Sequence, residues 1–317
     1  MKNKTTVIGL TGGFGNQMFQ FAYALYLDEV HNHDITLDFS IGNPRKTGNL
    51  SSICRMSIAN KKICGSSNQF RTSRFYSKVF GWNISRSVKD NSSQQIYRLF
   101  MTQVSRLLFA IRYRKVLSLT VATNLGYDEK LLNPRPGVII GYFQTSKFAE
   151  NPSVMRRLQT IECDSDSNDF IQWVNKARLV QPIMLHLRLT DYLKEESFGI
   201  PDINYYRRAI QLHRANGNLA AIWVFSDEID LAKRLLAELD TENEFLYFSD
   251  SKLEDVEIWS LMRKASGFII ANSTFSWWAA FLRDNQTAMV CYPRPWFAGM
   301  KDPESLCPDN WVGVDLT

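Results

Sequence analysis

The feature that most constrains the fold of this chain is the alternation of short apolar segments with helix-length segments in its second half. Apolar segments of strand length lie at 182–188, 220–226, 244–248, 267–271 and 288–291. Segments with helical spacing of apolar residues separate them, at 205–216, 230–239, 254–264 and 273–282. Because strands that alternate with helices form a parallel sheet covered on both faces, we predict a doubly wound α/β domain here.

The beginning of the chain has the same organisation. Residues 7–10, 18–30 and 35–39 have the patterns of a strand, a helix and a second strand, which together form an opening βαβ unit. A chain of 317 residues is long enough for two domains of about 150 residues each. Since the polar segment 164–169 separates the two halves, we predict an amino-terminal Rossmann-like domain at 1–165 and a second one at 166–317.

Polar side chains follow three of the predicted strands. Arg188 and Asp191 follow the first, Asp227 the second, and Asn272 and Ser273 the third. The carboxyl ends of parallel strands meet at one edge of the sheet, where ligands bind in such folds. An arginine fork suits a diphosphate, and a carboxylate suits a ribose or a base edge. Taken singly, these residues fit a surface ion pair, a turn aspartate and a helix cap, but their coincidence favours a nucleotide site.

The predicted helix that begins at Ser273 strengthens this interpretation. Ser273, Thr274 and Ser276 place hydroxyl groups at its first turn, where free backbone N–H groups also suit a phosphate. Two other segments resemble known binding motifs but do not match them fully. The glycine-rich turn at 12–15 lacks the GxGxxG spacing and the closing Gly-Lys-Ser/Thr of a P-loop. Asp164-Ser165-Asp166 has the spacing of a metal-binding DxD but follows no apolar strand, so we interpret it as a solvated loop and expect no metal ion.

Five sequence motifs occur in the chain in a fixed order. They are Gly12-Gly13-Phe14-Gly15-Asn16-Gln17-Met18-Phe19-Gln20-Phe21, Gly141-Tyr142-Phe143-Gln144-Thr145, His186-Leu187-Arg188-Leu189-Thr190-Asp191-Tyr192, Phe225-Ser226-Asp227-Glu228 and Asn272-Ser273-Thr274-Phe275-Ser276-Trp277-Trp278-Ala279-Ala280. In this order the motifs resemble those of the α-1,2-fucosyltransferases, glycosyltransferase family eleven, of the bacterial surface-glycan type. The resemblance extends over nearly the whole chain.

The resemblance implies a GT-B fold, in which two Rossmann-like domains face a cleft, and a reaction that inverts the anomeric carbon without a metal. It implies GDP-fucose as the donor, bound by the carboxyl-terminal domain, and a glycan acceptor on the amino-terminal side. Arg188 would bind the β-phosphate, His186 would lie near the nucleotide and Asp227 would contact the guanosine. The other donor-site residues implied are Asn272, Ser273, Thr274 and Ser276 around the diphosphate, Asn16 near the fucose, and Gly13 and Gly15 of the first motif.

One motif departs from the family pattern, because Leu189-Thr190 stands where the family has Arg-Gly. Inversion requires one base at the acceptor hydroxyl. Asp191 is our candidate, with Glu195 and Glu196 behind it; alternatively, Asp191 is structural and orients Arg188. The resemblance suggests the 2-hydroxyl of a β-galactoside as the acceptor. Two other functions stay open: a GT-B transferase with a different nucleotide sugar, and a non-catalytic protein that binds a nucleotide or a glycan.

Basic residues are concentrated in one segment of the first domain. Fifteen lysines and arginines but a single acid, Asp90, lie between Arg45 and Lys115, which makes 45–117 a basic insertion. Within it, 97–117 combines apolar and basic residues, as does a helix that lies in a membrane interface. Such a helix would suit a lipid-linked acceptor. Alternatively, its apolar face belongs to the core and its charges are solvated; cosedimentation with anionic vesicles distinguishes the two.

The remaining sequence features limit where the protein works and what it binds. No segment approaches the ~20 apolar residues that span a bilayer. We therefore expect a cytoplasmic protein, with any membrane contact peripheral and on the inner face. No feature besides the basic segment supports a nucleic-acid partner. The five cysteines are scattered without CxxC spacing, so we expect neither a disulfide framework nor a zinc site.

Overall fold

The structure, a computed structural model, describes residues 5–38, 53, 56–58, 61–62, 118–122, 124–190, 199–240, 244–249, 252–299 and 301–316. The chain divides into two compact units, Met1–Ile161 with Pro303–Cys307, and Glu162–Asp302 with Pro308–Thr317. The sequence pattern did not predict that residues 303–307 belong to the first unit. Asp191, Glu195, Glu196 and the segment 97–117 lie outside the described residues, so what we predict for them stays a prediction.

The first unit is built on a parallel sheet. Its elements are β1 (Thr5–Gly9), α1 (Phe14–His31), β2 (Asp34–Asp38), β3 (Met56–Ile58), β4 (Lys61–Lys62), β5 (Leu119–Val121), a 3-10 turn (Glu129–Leu131), β6 (Val138–Ile140), α2 (Ser146–Ala149) and α3 (Pro152–Gln159). The strand order is β2-β1-β6-β5, with every neighbouring pair parallel. Strands β3 and β4 form a short antiparallel pair.

The second unit has a larger parallel sheet. Its elements follow β7 (Ile161–Cys163) and are α4 (Asn168–Val180), β8 (Ile183–Leu187), α5 (Ile203–Ala215), β9 (Ile222–Ser226), α6 (Ile229–Leu236), β10 (Leu246–Tyr247), α7 (Asp255–Met262), β11 (Gly267–Ile269), α8 (Thr274–Phe281), β12 (Val290–Arg294) and β13 (Val312–Asp315). The strand order is β10-β9-β8-β11-β12-β13, all parallel. The order reverses between β8 and β11, which makes their carboxyl ends a topological switch point.

The burial pattern explains why these segments form central strands. All five residues of β8 are buried, as expected for a parallel strand covered by helices on both faces. Ile183, Leu185 and Leu187 belong to a core cluster that also includes Tyr205 and Tyr206 of α5. His186 is the one polar residue of β8, so its imidazole is buried in a strand whose other four side chains are apolar.

The predicted α/β class, with two Rossmann-like doubly wound units, is confirmed by the two parallel sheets. Two elements of the second unit were missed. The helix α4 buries Phe170, Val174 and Ala177 at helical spacing, directly after the polar segment 164–169. The edge strand β13 is short and half-exposed, so its apolar signal is weak. Within the described ranges, no helix is long and apolar enough to cross a membrane.

Candidate active site

The polar residues singled out in the second half of the chain lie at the switch point of the larger sheet. His186 is the fourth residue of β8, and Arg188 follows the end of that strand. Asp227 follows β9, and Asn272 and Ser273 follow β11. Because β8 pairs with both β9 and β11, the three strand ends are neighbours in space. The fold thus brings together side chains that are far apart in the sequence.

Asp227 organises the turn that follows β8. The Leu189 N–H donates to Asp227 Oδ1 over 2.8 Å, and the Thr190 N–H donates to Oδ2 over 3.2 Å. The Thr190 hydroxyl also donates to Oδ2. Arg188 Nη1 lies 3.2 Å from the same oxygen. These donors occupy both oxygens of the carboxylate, so a nucleotide that approached Asp227 would have to compete with them.

These contacts keep the Asp227 carboxylate ionised. Burial by itself would raise the pKa of Asp227, but the bonds from the Thr190 hydroxyl and the Leu189 N–H lower it. The charge of Arg188 and the Thr190 N–H lower the pKa further, and the net shift is downward. Asp227 therefore stays negative and holds the guanidinium of Arg188, whose side chain is 35% exposed. Such a cation at a switch point can bind an anionic group.

Leu189, at the position of the missing second arginine, points away from the site. Its side chain is 0% exposed and belongs to the core cluster that includes Leu187 and Tyr206. The leucine side chain at this position therefore fills the hydrophobic core, while the backbone N–H of Leu189 and the side chain of Thr190 contact Asp227.

His186 is neutral in this environment. Burial lowers the pKa of the imidazole to about 4; the charge of Asp227 opposes that shift and the charge of Arg188 adds to it. Within the described part of the chain, His186 Nδ1 is buried without a hydrogen-bond partner. The ring lies 6.1 Å from that of Phe275, in the first turn of α8. His186 can therefore form a hydrogen bond to a ligand at neutral pH without adding a positive charge.

The start of α8 is anchored by its own side chains. Ser273 is the N-cap, and its hydroxyl accepts a hydrogen bond from the Phe275 N–H over 3.4 Å. The Ser276 hydroxyl donates to the Ser273 carbonyl, while the Asn272 amide donates to the carbonyls of Gly199 and Trp296. Asn272 and Ser276 thus support the turn. Thr274, at the first helical position, is only half-buried.

The glycine-rich turn of the first unit is held by amide side chains of α1. Gln17 Nε2 donates to the Gly12 carbonyl over 3.0 Å. Gln20 accepts from the Thr11 N–H and donates to the Gly141 carbonyl. Gly12 has φ +79°, and a Cβ there would lie 2.6 Å from Asn16 Nδ2. Both reasons require glycine at position 12.

Gln144 connects the first and second motifs. Its Nε2 donates to Asn16 Oδ1 over 2.9 Å, although 128 residues separate the two. The preceding residue, Phe143, has φ +51°, and its ring stacks on Tyr23 at 4.2 Å. The bond between Gln144 and Asn16 fixes which end of the Asn16 amide is which: the oxygen accepts from Gln144, and the NH₂ group is the donor that Asn16 can offer to a ligand. Next to it, Gly13 is exposed and has open space on its Cβ side, whereas Gly15 is buried in the first turn of α1.

Two residues of this arrangement were missed by the sequence analysis. Gln144 and Thr190 belong to the quoted motifs, but a motif does not say which of its members bind one another. Asp164 and Asp166 lie exposed in a loop between β7 and α4, as predicted. Across the described ranges, no group of three or more His, Cys, Asp or Glu is arranged to hold a metal ion.

Comparison with known proteins identifies relatives over the full length. Residues 170–315 match the family model described as Glycosyl transferase family 11. The Alpha-1,2-colitosyltransferase of Escherichia coli is 25% identical, covering 98% of each chain. The O-antigen biosynthesis glycosyltransferase WbnK of Escherichia coli is 27% identical, covering 96% of this chain and 99% of that protein.

Among solved structures, the fucosyltransferase NodZ from Bradyrhizobium aligns with 89% of this chain and 94% of its own, at 13% identity and a TM-score of 0.47. The site at the ends of β8, β9 and β11 lies entirely within the residues that match the family model. This chain is a glycosyltransferase, and its residues 170–315 are similar to glycosyl transferase family 11.

Proposed function

We propose that the protein transfers L-fucose from GDP-fucose to a sugar hydroxyl, with inversion and without a metal ion. The observation that carries this proposal is the position of Arg188, a half-exposed cation oriented by Asp227 at the switch point of the larger sheet. A diphosphate needs such a charge when no metal neutralises it. The motif resemblance to the α-1,2-fucosyltransferases and the match to family 11 support the choice of donor.

In the proposed reaction, the bond between the anomeric carbon and the β-phosphate oxygen breaks as the acceptor oxygen attacks from the opposite face. The electron pair leaves with GDP, and the acceptor proton passes to a base, for which we propose Asp191. Negative charge grows on the leaving diphosphate, where Arg188 and the amino end of α8 stabilise it. The developing charge on the sugar resembles that of glycoside hydrolysis.

The other site residues have supporting roles in this proposal. The neutral imidazole of His186 forms a hydrogen bond to the nucleotide, since a buried polar nitrogen without a partner is costly. Asn16 contacts the fucose through the amide NH₂ group that Gln144 leaves as its donor. Thr274 and the N–H groups at the start of α8 contact the diphosphate, and Asn272, Ser273 and Ser276 hold that turn in place.

We propose the 2-hydroxyl of a β-galactoside in a bacterial surface glycan as the acceptor, on the basis of the motif resemblance. The name of the WbnK relative, an O-antigen biosynthesis glycosyltransferase, supports a glycan of this kind. A second candidate donor is GDP-colitose, which the name of the colitosyltransferase relative favours. Colitose is fucose without its 3-hydroxyl, so the same diphosphate site would serve both donors.

Donor competition tests the proposal. We expect GDP to inhibit transfer and to bind in titration calorimetry, and UDP to do neither at the same concentrations. Incubation with a panel of β-galactosides should then give turnover with GDP-fucose, and parallel reactions with GDP-colitose rank the two sugars. Equal competition by UDP would assign a different nucleotide. GDP binding without turnover of either sugar on any acceptor would favour a non-catalytic binding protein.

Transfer should also survive chelation. Since Arg188 and the amino end of α8 supply the charge that a metal would otherwise supply, we expect EDTA to leave the initial rate within about twofold of its untreated value. The measurement is GDP release at saturating acceptor, with and without EDTA. Loss of activity in EDTA that Mn²⁺ restores would contradict the metal-free mechanism.

A further inference from the structure

We propose that Thr190 is a positioning residue, which holds Asp227 so that Asp227 in turn orients Arg188 towards the leaving diphosphate. The inference rests on the proposed function, because it assumes that Arg188 acts on that group. Thr190 stands where the motif pattern has glycine, so its side chain is a feature of this chain and not of the motif.

The geometry gives Thr190 two contacts with the carboxylate. Its N–H donates to Asp227 Oδ2 over 3.2 Å, and its hydroxyl donates to the same oxygen. The Leu189 N–H occupies Oδ1 over 2.8 Å. Because donors hold both oxygens, the orientation of the carboxylate is fixed, and Arg188 Nη1 lies 3.2 Å from Oδ2.

The contacts from Thr190 matter because they are uncharged. In a bare pair, the carboxylate would attract the guanidinium strongly and compete with the diphosphate for it. Neutral donors satisfy part of the Asp227 charge, so Asp227 can orient Arg188 while leaving it available to a second anion. The side chain of Leu189, which directly follows Arg188, is buried in the core and does not contribute a donor to the Asp227 carboxylate.

The same contacts predict a change in pH dependence. Among the residues that the structure describes, the charge of Arg188 acts on Asp227, and the charge of Asp227 in turn acts on His186. The Thr190 hydroxyl lowers the pKa of Asp227, so the carboxylate works above that pKa and fails as the pH falls through it. Removal of the hydroxyl raises the pKa of Asp227, and the acid limb of the rate profile therefore moves to higher pH.

The experiment compares Thr190→Val, which removes the hydroxyl at nearly constant volume, with Thr190→Ser, which keeps it. Thr287→Val is the matched control, because it removes a threonine hydroxyl bond from an exposed turn. For Thr190→Val, we expect kcat for GDP-fucose to fall about tenfold, the effect of one hydrogen bond to a charged group, with KM changed less than about threefold. Its acid limb should move upward. Thr190→Ser and Thr287→Val should keep both the rate and the profile of the unmodified protein.

The outcomes separate this inference from the proposed function. An unmodified protein that turns over GDP-fucose, together with a Thr190→Val variant of equal kcat and unchanged acid limb, would overturn the positioning role alone. Loss of activity in Thr190→Ser to the level of Thr190→Val would overturn it too. Absence of GDP binding and of turnover in the unmodified protein would overturn both proposals. Where Thr190→Val fails to fold, Thr190→Ala gives the same test, since it also removes the hydroxyl and should show the same fall in kcat and the same upward move of the acid limb.

Discussion

Replacement of Arg188 by alanine is expected to lower kcat/KM for the sugar nucleotide by at least about 100-fold, the usual effect of losing one preorganised charge contact to a leaving group. The guanidinium is held at the end of β8 by Asp227 at 3.2 Å, so little reorganisation is needed when charge develops on the diphosphate. The same loss should appear with every acceptor, because it arises on the donor side of the reaction.

Arg188→Lys should recover little of this activity. An ammonium group is a point charge, and it cannot both contact Asp227 and present a planar fork to a phosphate. Arg207→Ala is the matched control: Arg207 belongs to the same unit and pairs with Glu238 at 3.2 Å, but the pair is exposed. We expect that variant to stay within about twofold of the unmodified protein. Near-normal kcat/KM in Arg188→Ala would show that Arg188 does not bind the diphosphate and that the diphosphate site lies elsewhere.

The second large effect is expected for Asp191→Asn. If Asp191 accepts the proton of the acceptor hydroxyl, the amide should lower kcat by about 10²–10⁴-fold, the contribution of a positioned general base. GDP affinity, measured by calorimetry, should stay within about threefold, because the base acts on the acceptor and not on the nucleotide. The comparison of kcat with GDP affinity therefore distinguishes a base from a residue that orients Arg188.

A matched control for this substitution is Asp230→Asn, in the first turn of α6, where the carboxylate lies 3.9 Å from Lys233 in an exposed pair. It should leave both kcat and GDP affinity unchanged. If the GDP affinity of Asp191→Asn falls as far as its kcat, Asp191 is a structural partner of Arg188. The same two measurements on Glu195→Gln and Glu196→Gln would then locate the base.

Much of the candidate site could be predicted because it depends on strand ends. The apolar segments 182–188, 220–226 and 267–271 alternate with predicted helices, which predicts parallel strands. Polar residues that directly follow parallel strands lie at one edge of the sheet. This reasoning selected Arg188, Asp227 and Ser273 from local pattern alone. It did not predict that Asp227 is occupied by the turn after β8, because hydrogen-bond partners depend on side-chain geometry across two strands.

The sequence by itself determined the strand–helix alternation, the two α/β units and the resemblance to a glycosyltransferase family, since periodicity and ordered motifs are local properties of the chain. Only the tertiary structure decided that Leu189 faces the core while Thr190 faces Asp227, because neighbouring residues diverge according to what packs on each side of the turn. It also decided that Gln144 binds Asn16 and that 303–307 joins the first unit. Such contacts join residues far apart in the chain, and they form only when packing brings their backbones together.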